Sequence, residues 1–232
     1  MSRLRALTLL ALVPLALAAG CGSDGKSSSS EPKADGNGGV SCSYPKDGEA
    51  SKPVQLPAKL SDPSAATRTT ITTSAGAIPI TFDVEQAPCT VHSFLSLAKQ
   101  GYFDGTTCHR LTTSGIYVLQ CGDPTGTGTG GPGYTIADEL VPDDPRLQPC
   151  DATGACTYSN GLVAMAKTPA PDSGGSQFFL IYADSPLPPE YTVFGKTDAA
   201  GLKVLKAIGA AGTADGAPDG APKTPVKITS VK

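Results

Sequence analysis

Thr106-Thr107-Cys108-His109-Arg110-Leu111, followed shortly by Tyr117-Val118-Leu119-Gln120-Cys121-Gly122-Asp123, is the stretch on which the fold turns. The segments at 108–111 and 117–121 read as strands, and the Thr/Ser/Gly residues at 112–115 read as the turn between them. Paired as a hairpin, they place Arg110 and Gln120 side by side on one face, where a glutamine can hold a guanidinium in register. Consecutive strand residues point to opposite faces, so Cys108 and His109 cannot meet as a thiol and its base. Cys108 and Arg110 share a face by the same rule, and a nearby guanidinium lowers a thiol pKa.

Outward from that hairpin, residues 67–73 are β-branched, Ser74-Ala75-Gly76 makes a turn, and Ile78-Pro79-Ile80-Thr81-Phe82 alternates as a half-buried strand. Ala87-Pro88-Cys89-Thr90 then opens a helix whose apolar face carries Val91, Phe94, Leu95 and Ala98, and Gly101 ends it. Residues 161–166, 177–182, 191–194 and 226–231 read as further strands, and Leu202, Val204, Leu205 and Ile208 mark a second helix. Many short strands with only two helices predict a mainly β protein, a barrel rather than a layered sandwich. The glycines at 126–133 form a turn-dense loop; no Lys-Ser/Thr follows them, so they are not a phosphate cradle. Asp138 with Glu139, and Asp143 with Asp144, read as solvated loop charge without a role.

The remaining parts are not barrel. Arg3 and Arg5 precede an apolar run at 6–19 that is short for a membrane span and ends in Ala18-Ala19-Gly20-Cys21. Residues 1–20 therefore read as a bacterial lipoprotein signal peptide, with the Cys21 thiol as the lipidation site. Residues 21–41, almost without apolar side chains, read as a flexible tether, and residues 42–65 as an extension lying on the surface of a domain at 66–232. Setting Cys21 aside leaves Cys42, Cys89, Cys108, Cys121, Cys150 and Cys156, an even number that predicts disulfides on an exported chain. Their connectivity stays open, although Cys150 and Cys156 flank a loop that a bridge would close. The two histidines and the absence of a Cys-x-x-Cys pair argue against zinc, and no other metal or cofactor is implied. A formal net charge of −3 without basic runs argues against nucleic acid as a partner.

Arg110, Gln120, Gln177 and Phe179 make chemical sense as a group. Rotation about a prolyl amide crosses a barrier of ~18–20 kcal/mol and takes tens to hundreds of seconds unaided. It needs no acid, base or nucleophile. A dry apolar pocket for the proline ring helps, as does a fixed cation that donates to the prolyl nitrogen as it becomes pyramidal, or to its carbonyl. Phe179 would floor the pocket and Gln177 would hydrogen-bond the substrate backbone.

The chain resembles the cyclophilin-type peptidyl-prolyl isomerases from about residue 69 to 231. The matching pieces are Ala87-Pro88-x-Thr90-Val91 with Phe94, Gly101-Tyr102-Phe103-Asp104-Gly105-Thr106-Thr107, His109-Arg110, Gln120-x-Gly122-Asp123, Gly126-x-Gly128-x-Gly130-Gly131-Pro132-Gly133-Tyr134, Met165-Ala166, Gly175-Ser176-Gln177-Phe178-Phe179 and Val193-Phe194-Gly195-Lys196. The resemblance implies an eight-stranded antiparallel barrel capped by two helices, with an active groove on its outer face. It implies that Arg110 is the catalytic arginine, Gln120 its neighbour and Phe179 the base of the proline pocket. Tyr117, Val118 and Leu187 then line that pocket, Tyr191 stands where animal members have His, Gln177 binds substrate and Ala166 edges the groove. Four features depart from the family pattern: Cys108 replaces Phe, the turn at 112–115 is longer, Val118 is smaller than the usual Met, and Pro186 replaces Trp or Phe. With no Trp in the chain, poor inhibition by cyclosporin is expected.

These readings converge on a monomeric, cofactor-free prolyl isomerase held at the extracytoplasmic face of a bacterial membrane by a lipid on Cys21, acting on proline-containing segments of exported proteins. Two alternatives stand beside it. One is a non-catalytic module or chaperone that binds proline segments at the cell envelope. The other is thiol chemistry, which bridging of all six domain cysteines would exclude.

Overall fold

The computed structural model describes residues 39–62 and 65–232; the signal peptide and nearly all of the tether, Cys21 included, lie outside the described residues. Among the described residues the first regular pieces are strands β1 (Arg68–Thr73) and β2 (Gly76–Phe82), which pair from Arg68↔Thr81 to Thr73↔Gly76. Thr73 Oγ1 donates to the Gly76 carbonyl and accepts from Ala75 N, which closes the turn. Strand alternation sends Thr69 and Ile71 with Ile78, Ile80 and Phe82 inward.

Helix α1 (Pro88–Lys99) follows, with Pro at its first turn, where a missing N–H costs nothing. Its orphan amides at Cys89 and Thr90 donate to Glu139 Oε1 and Oε2 at 2.9 and 2.8 Å. Burial raises the Glu139 pKa, and the bonds from Thr90 and Cys89 oppose that rise. Two of the four acidic residues are therefore not solvated loop charge: Glu139 caps a helix fifty residues upstream, and the Asp144 carboxylate chelates Arg146, which also reaches Asp83 at 2.7 Å, while Asp143 lies exposed.

Strands β3 (Arg110–Thr112), β4 (Val118–Cys121), β7 (Leu162–Met165), β8 (Phe178–Ile181), β10 (Val193–Thr197), β11 (Asp219–Gly220) and β12 (Ile228–Val231) complete one antiparallel sheet of order β11-β3-β4-β8-β7-β10-β2-β1-β12. The sheet curls into a half-barrel. Its two ends are drawn together by Cys108 N to Val226 O and Ile228 N to Thr106 O, at 2.9 and 2.8 Å. Among the described residues this sheet has nine strands, the expected mainly β curled sheet with the short edge strand Asp219–Gly220 added to the eight that the resemblance implies. Strands β5 (Leu147–Gln148), β6 (Cys156–Tyr158) and β9 (Ser185–Leu187) form a second, three-stranded sheet outside the strands read from the sequence. Helix α2 (Ala199–Ala211) is capped by Asp198, which accepts from Gly201 N, and packs on β2 and β10.

All six domain cysteines are bridged, Cys42–Cys89, Cys108–Cys121 and Cys150–Cys156. The inner face is aromatic and buried: the Phe94 ring lies 4.9 to 5.5 Å from those of Phe82, Phe103, Phe178 and Phe194. The extension is more than a surface layer. Cys42 and Tyr44 are buried in that core, the Tyr44 hydroxyl donates to Cys89 O, and Lys52 Nζ donates to the carbonyls of Gly101, Tyr102 and Asp104 beyond α1. Gln55 and Gln100 exchange hydrogen bonds as well.

Candidate functional site

Register across the outer face of the sheet sets one row of residues side by side: Arg110 pairs with Gln120, Gln120 with Phe179, and Phe179 with Ala164. The polar half of the row is a hydrogen-bonded relay. Arg110 Nη1 donates to Gln120 Oε1 at 3.2 Å, Gln120 Nε2 donates to Gln177 Oε1 at 2.9 Å, and Gln177 Nε2 donates to the carbonyls of Gly128 and Gly130. Each side chain in the relay is oriented by the next, so the guanidinium inherits the fixity of the glycine loop.

That loop is held by one carboxylate. Asp123, fully buried, accepts from the backbone N–H groups of Thr125, Thr127, Gly128 and Gly130 and from the Thr125 hydroxyl. Burial would raise its pKa, but these donors hold it below the ordinary carboxylate value. Glycine is required at 130 because a Cβ there would run into the Asp123 carboxylate, and at 122 because one would strike the Ser176 carbonyl.

The apolar half of the row belongs to a cluster separate from the inner core. Val118, Tyr158, Ala164, Phe179, Ile181, Leu187 and Val193 pack together, with Ile116, Ala166 and Tyr191 against them. Tyr191 meets Phe179 edge-on, with ring centroids 5.3 Å apart. Val118, Phe179, Leu187, Ala166 and Tyr191 are thereby gathered in one cluster. Tyr117 is not: its ring sits on Tyr182 at 5.9 Å and packs against the inner core, and Ile116 joins the outer cluster instead. Side-chain alternation puts the neighbours of Tyr117 on the outer face and Tyr117 on the inner one.

Cys108 does not share a face with Arg110. The regular strand begins only at Arg110, and the bridge to Cys121 draws Cys108 into the core, so no thiol is available beside the guanidinium. His109 is also enclosed; among the described residues neither ring nitrogen has a hydrogen-bond partner, and burial lowers its pKa. Pro186 lies exposed on β9.

One ligand of the guanidinium escapes sequence reasoning. Asp219 accepts from Arg110 Nε and Nη2 at 2.8 and 2.7 Å, a two-point ion pair that raises the arginine pKa and lowers that of the aspartate. Beside the row lies a cavity of about 520 Å³ lined by Gln120, Gln177, Ala166, the glycine loop and Ser51 of the extension. A second, of about 540 Å³, lies beyond Tyr191 and touches none of Arg110, Gln120 and Gln177.

A curled antiparallel sheet with an arginine, two glutamines and a phenylalanine registered on its outer face defines a class, and comparison with known proteins agrees. Residues 68–232 match the family model described as cyclophilin type peptidyl-prolyl cis-trans isomerase, and the chain belongs to that family. It is 47% identical over 203 residues to the probable peptidyl-prolyl cis-trans isomerase B of Mycobacterium tuberculosis, covering 86% of this chain and 66% of that one. The protein of the same name from Mycobacterium leprae is 47% identical over 206 residues, 84% of this chain and 68% of that one. The chain thus spans about two thirds of the length of these relatives. Among solved structures, a cyclophilin type isomerase of Cryptosporidium parvum superposes with a TM-score of 0.59 at 29% identity, over 71% of this chain and 95% of its own. The same protein has been crystallised in the presence of the dipeptide ala-pro, and that structure superposes with a TM-score of 0.58.

Proposed function

We propose that this chain accelerates cis-trans rotation about X-Pro bonds, with Arg110 as the catalytic cation and the outer cluster as the proline site. The observation that carries it is the register of Arg110, Gln120 and Phe179 in one row, which sets a fixed guanidinium next to apolar surface. An amide nitrogen that loses conjugation becomes basic, and a preorganised charged donor stabilises that state more than the planar ground state. Phe179, Val118, Leu187 and Tyr191 would hold the proline ring, Gln177 and Ala166 the backbone beside it. A dipeptide ending in proline is what the Cryptosporidium protein was crystallised with, which supports the same substrate class here.

The cellular setting belongs to the same proposal. Three disulfides in one domain favour an oxidising compartment, and the sequence at 1–21 supports lipidation of Cys21 and residence at the extracytoplasmic face of a bacterial membrane, as a monomer. Folding assistance to exported proteins follows from activity and place together.

Isomerisation of a short X-Pro peptide by the disulfide-bonded protein, beside Arg110→Ala, tests the chemistry. Loss of a preorganised donor at a developing charge costs about 10²–10³ in kcat, so a fall of that size is expected. Acceleration that survives the substitution would remove Arg110 from the site. Peptide binding without acceleration in the parent protein would instead favour the proline-segment binder.

A further inference from the structure

Arg110 is gripped from both neighbouring strands. Its guanidinium has five N–H donors. Nε and Nη2 each give one to Asp219 on β11, and Nη1 gives one to Gln120 on β4. One hydrogen on each terminal nitrogen is left for a substrate. Without Asp219, a single 3.2 Å bond to Gln120 would have to hold a side chain with about 2 kcal/mol of rotamer entropy.

The carboxylate arrives on a rigid support. The turn at 212–223 is pinned internally by Ala214 N to Ala221 O, Lys223 N to Gly212 O and Ala217 N to Asp215 Oδ1, and Thr213 Oγ1 donates to the Ala217 carbonyl. It is pinned to β3 by Thr113 N to Pro218 O at 2.8 Å and by the pairing of Asp219 with Thr112 and Gly220 with Leu111. The ion pair itself is half exposed, with side-chain accessibilities of 40% for Arg110 and 51% for Asp219. A pair so hydrated adds little to stability, and its consequence is geometric.

We propose that Asp219 is a positioning residue for the isomerase: it fixes the Arg110 guanidinium before substrate arrives, leaving two donors free beside the outer cluster. The inference rests on the reading of Arg110 as the catalytic residue. Fixing the cation in advance removes an ordering cost from the transition state. The opposite sign is also physically defined, since a carboxylate that merely occupied the arginine would compete with substrate.

The test compares the full disulfide-bonded chain with Asp219→Asn, Asp219→Ala, Arg110→Ala and the Arg110→Ala/Asp219→Asn double variant, each shown to be folded by its melting temperature. Asp219→Asn should lower kcat about tenfold while KM moves by less than about threefold, the pattern of an interaction realised in the transition state. Asp219→Ala should lose at least as much. In the Arg110→Ala background Asp219→Asn should cost nothing more, because its effect runs through the arginine. An unchanged or raised kcat in Asp219→Asn overturns the proposal, as does a full further loss in the double variant. An Arg110→Ala protein as fast as the parent overturns the catalytic reading beneath it; an inactive Arg110→Ala beside a fully active Asp219→Asn overturns only the positioning.

Discussion

Phe178 and Phe179 are adjacent in one strand and belong to different structures. Phe178 is fully buried on the inner face, with its ring 5.3 Å from Phe94 and 5.7 Å from Phe103. Phe179 looks outward, meets Tyr191 and lies in register with Gln120. The inner face is aromatic and stapled by Cys108–Cys121; the outer face is a smaller apolar cluster beside a polar relay. The half-barrel therefore divides by side-chain parity: one face packs the large core, and the other sets a smaller apolar cluster beside the guanidinium. Each prediction below probes whether that division holds.

The largest effect is expected at Phe178. Phe178→Ala should cost about 3–5 kcal/mol in unfolding experiments, the range for a buried aromatic whose neighbours relax only partly. Molecules still folded should isomerise at near the parent rate. Phe179→Ala should cost no more than about half that stability, because water and the outer cluster can fill the space, while kcat/KM falls about tenfold or more. Equal losses of stability and activity in both variants would show that the two faces act as one unit.

Much of this division is legible in the chain. Pairing 108–111 with 117–121 places Arg110 beside Gln120 without coordinates, and the family resemblance adds Phe179, whose register with Gln120 only the folded sheet supplies. Other parts are illegible for identifiable reasons. Strand β11 is two residues, Asp219-Gly220, within a Gly/Pro-rich run that carries no periodicity, so neither the ninth strand nor the partner of Arg110 stands out. Glu139 caps amides fifty positions away, a relation no local pattern encodes. Ser185-Pro186-Leu187 gives no strand signal because Pro is rare inside strands, yet it lies in β9 with Pro186 exposed. Tyr117 was expected outside because the resemblance put it there, whereas strand parity, counted from Val118, points it inward. The even cysteine count signals disulfides, but two of the three bridges span 47 and 13 residues and depend on the tertiary fold.

A sharper comparison comes from the staple under the site. Cys108 and Cys121 are both buried, each within two residues of a member of the Arg110–Gln120 pair but on the core side. Replacing both by Ala should lower stability by about 2–4 kcal/mol, since closing a loop of this length restrains the unfolded chain by that order. If faces are independent, kcat/KM of the folded variant changes by less than about threefold, because β3 and β4 remain paired in the sheet and Asp219 still holds the arginine. A collapse of activity in a variant that remains folded would mean that the inner staple sets the outer geometry.

The two faces meet at Asp123, and here the expected effect is smaller and depends on pH. Behind it, Ser176 Oγ donates to the Gly122 carbonyl and shares a hydrogen bond with the Tyr102 hydroxyl of the core; in front, its donors Gly128 and Gly130 present their carbonyls to Gln177. The net pKa shift is downward, so the folded protein binds the Asp123 proton less readily than the unfolded chain. The carboxylate's contribution is accordingly complete above the unfolded value of about 3.9, and is lost as pH falls through the lower folded value. Hydrogen exchange at the Gly128 and Gly130 amides should stay protected through the ordinary carboxylate range and weaken only at more acid pH. Asp123→Asn should lose about 1–3 kcal/mol of that protection at neutral pH, because an amide group accepts fewer of the converging donors. The variant's protection should then be flat where the parent's falls. If its amides exchange as slowly as the parent's, the loop is held by its glycines and the extension, and Asp123 does not join the faces. If protection falls while isomerisation is untouched, Gln177 and Arg110 owe their orientation to the sheet and to Asp219 alone.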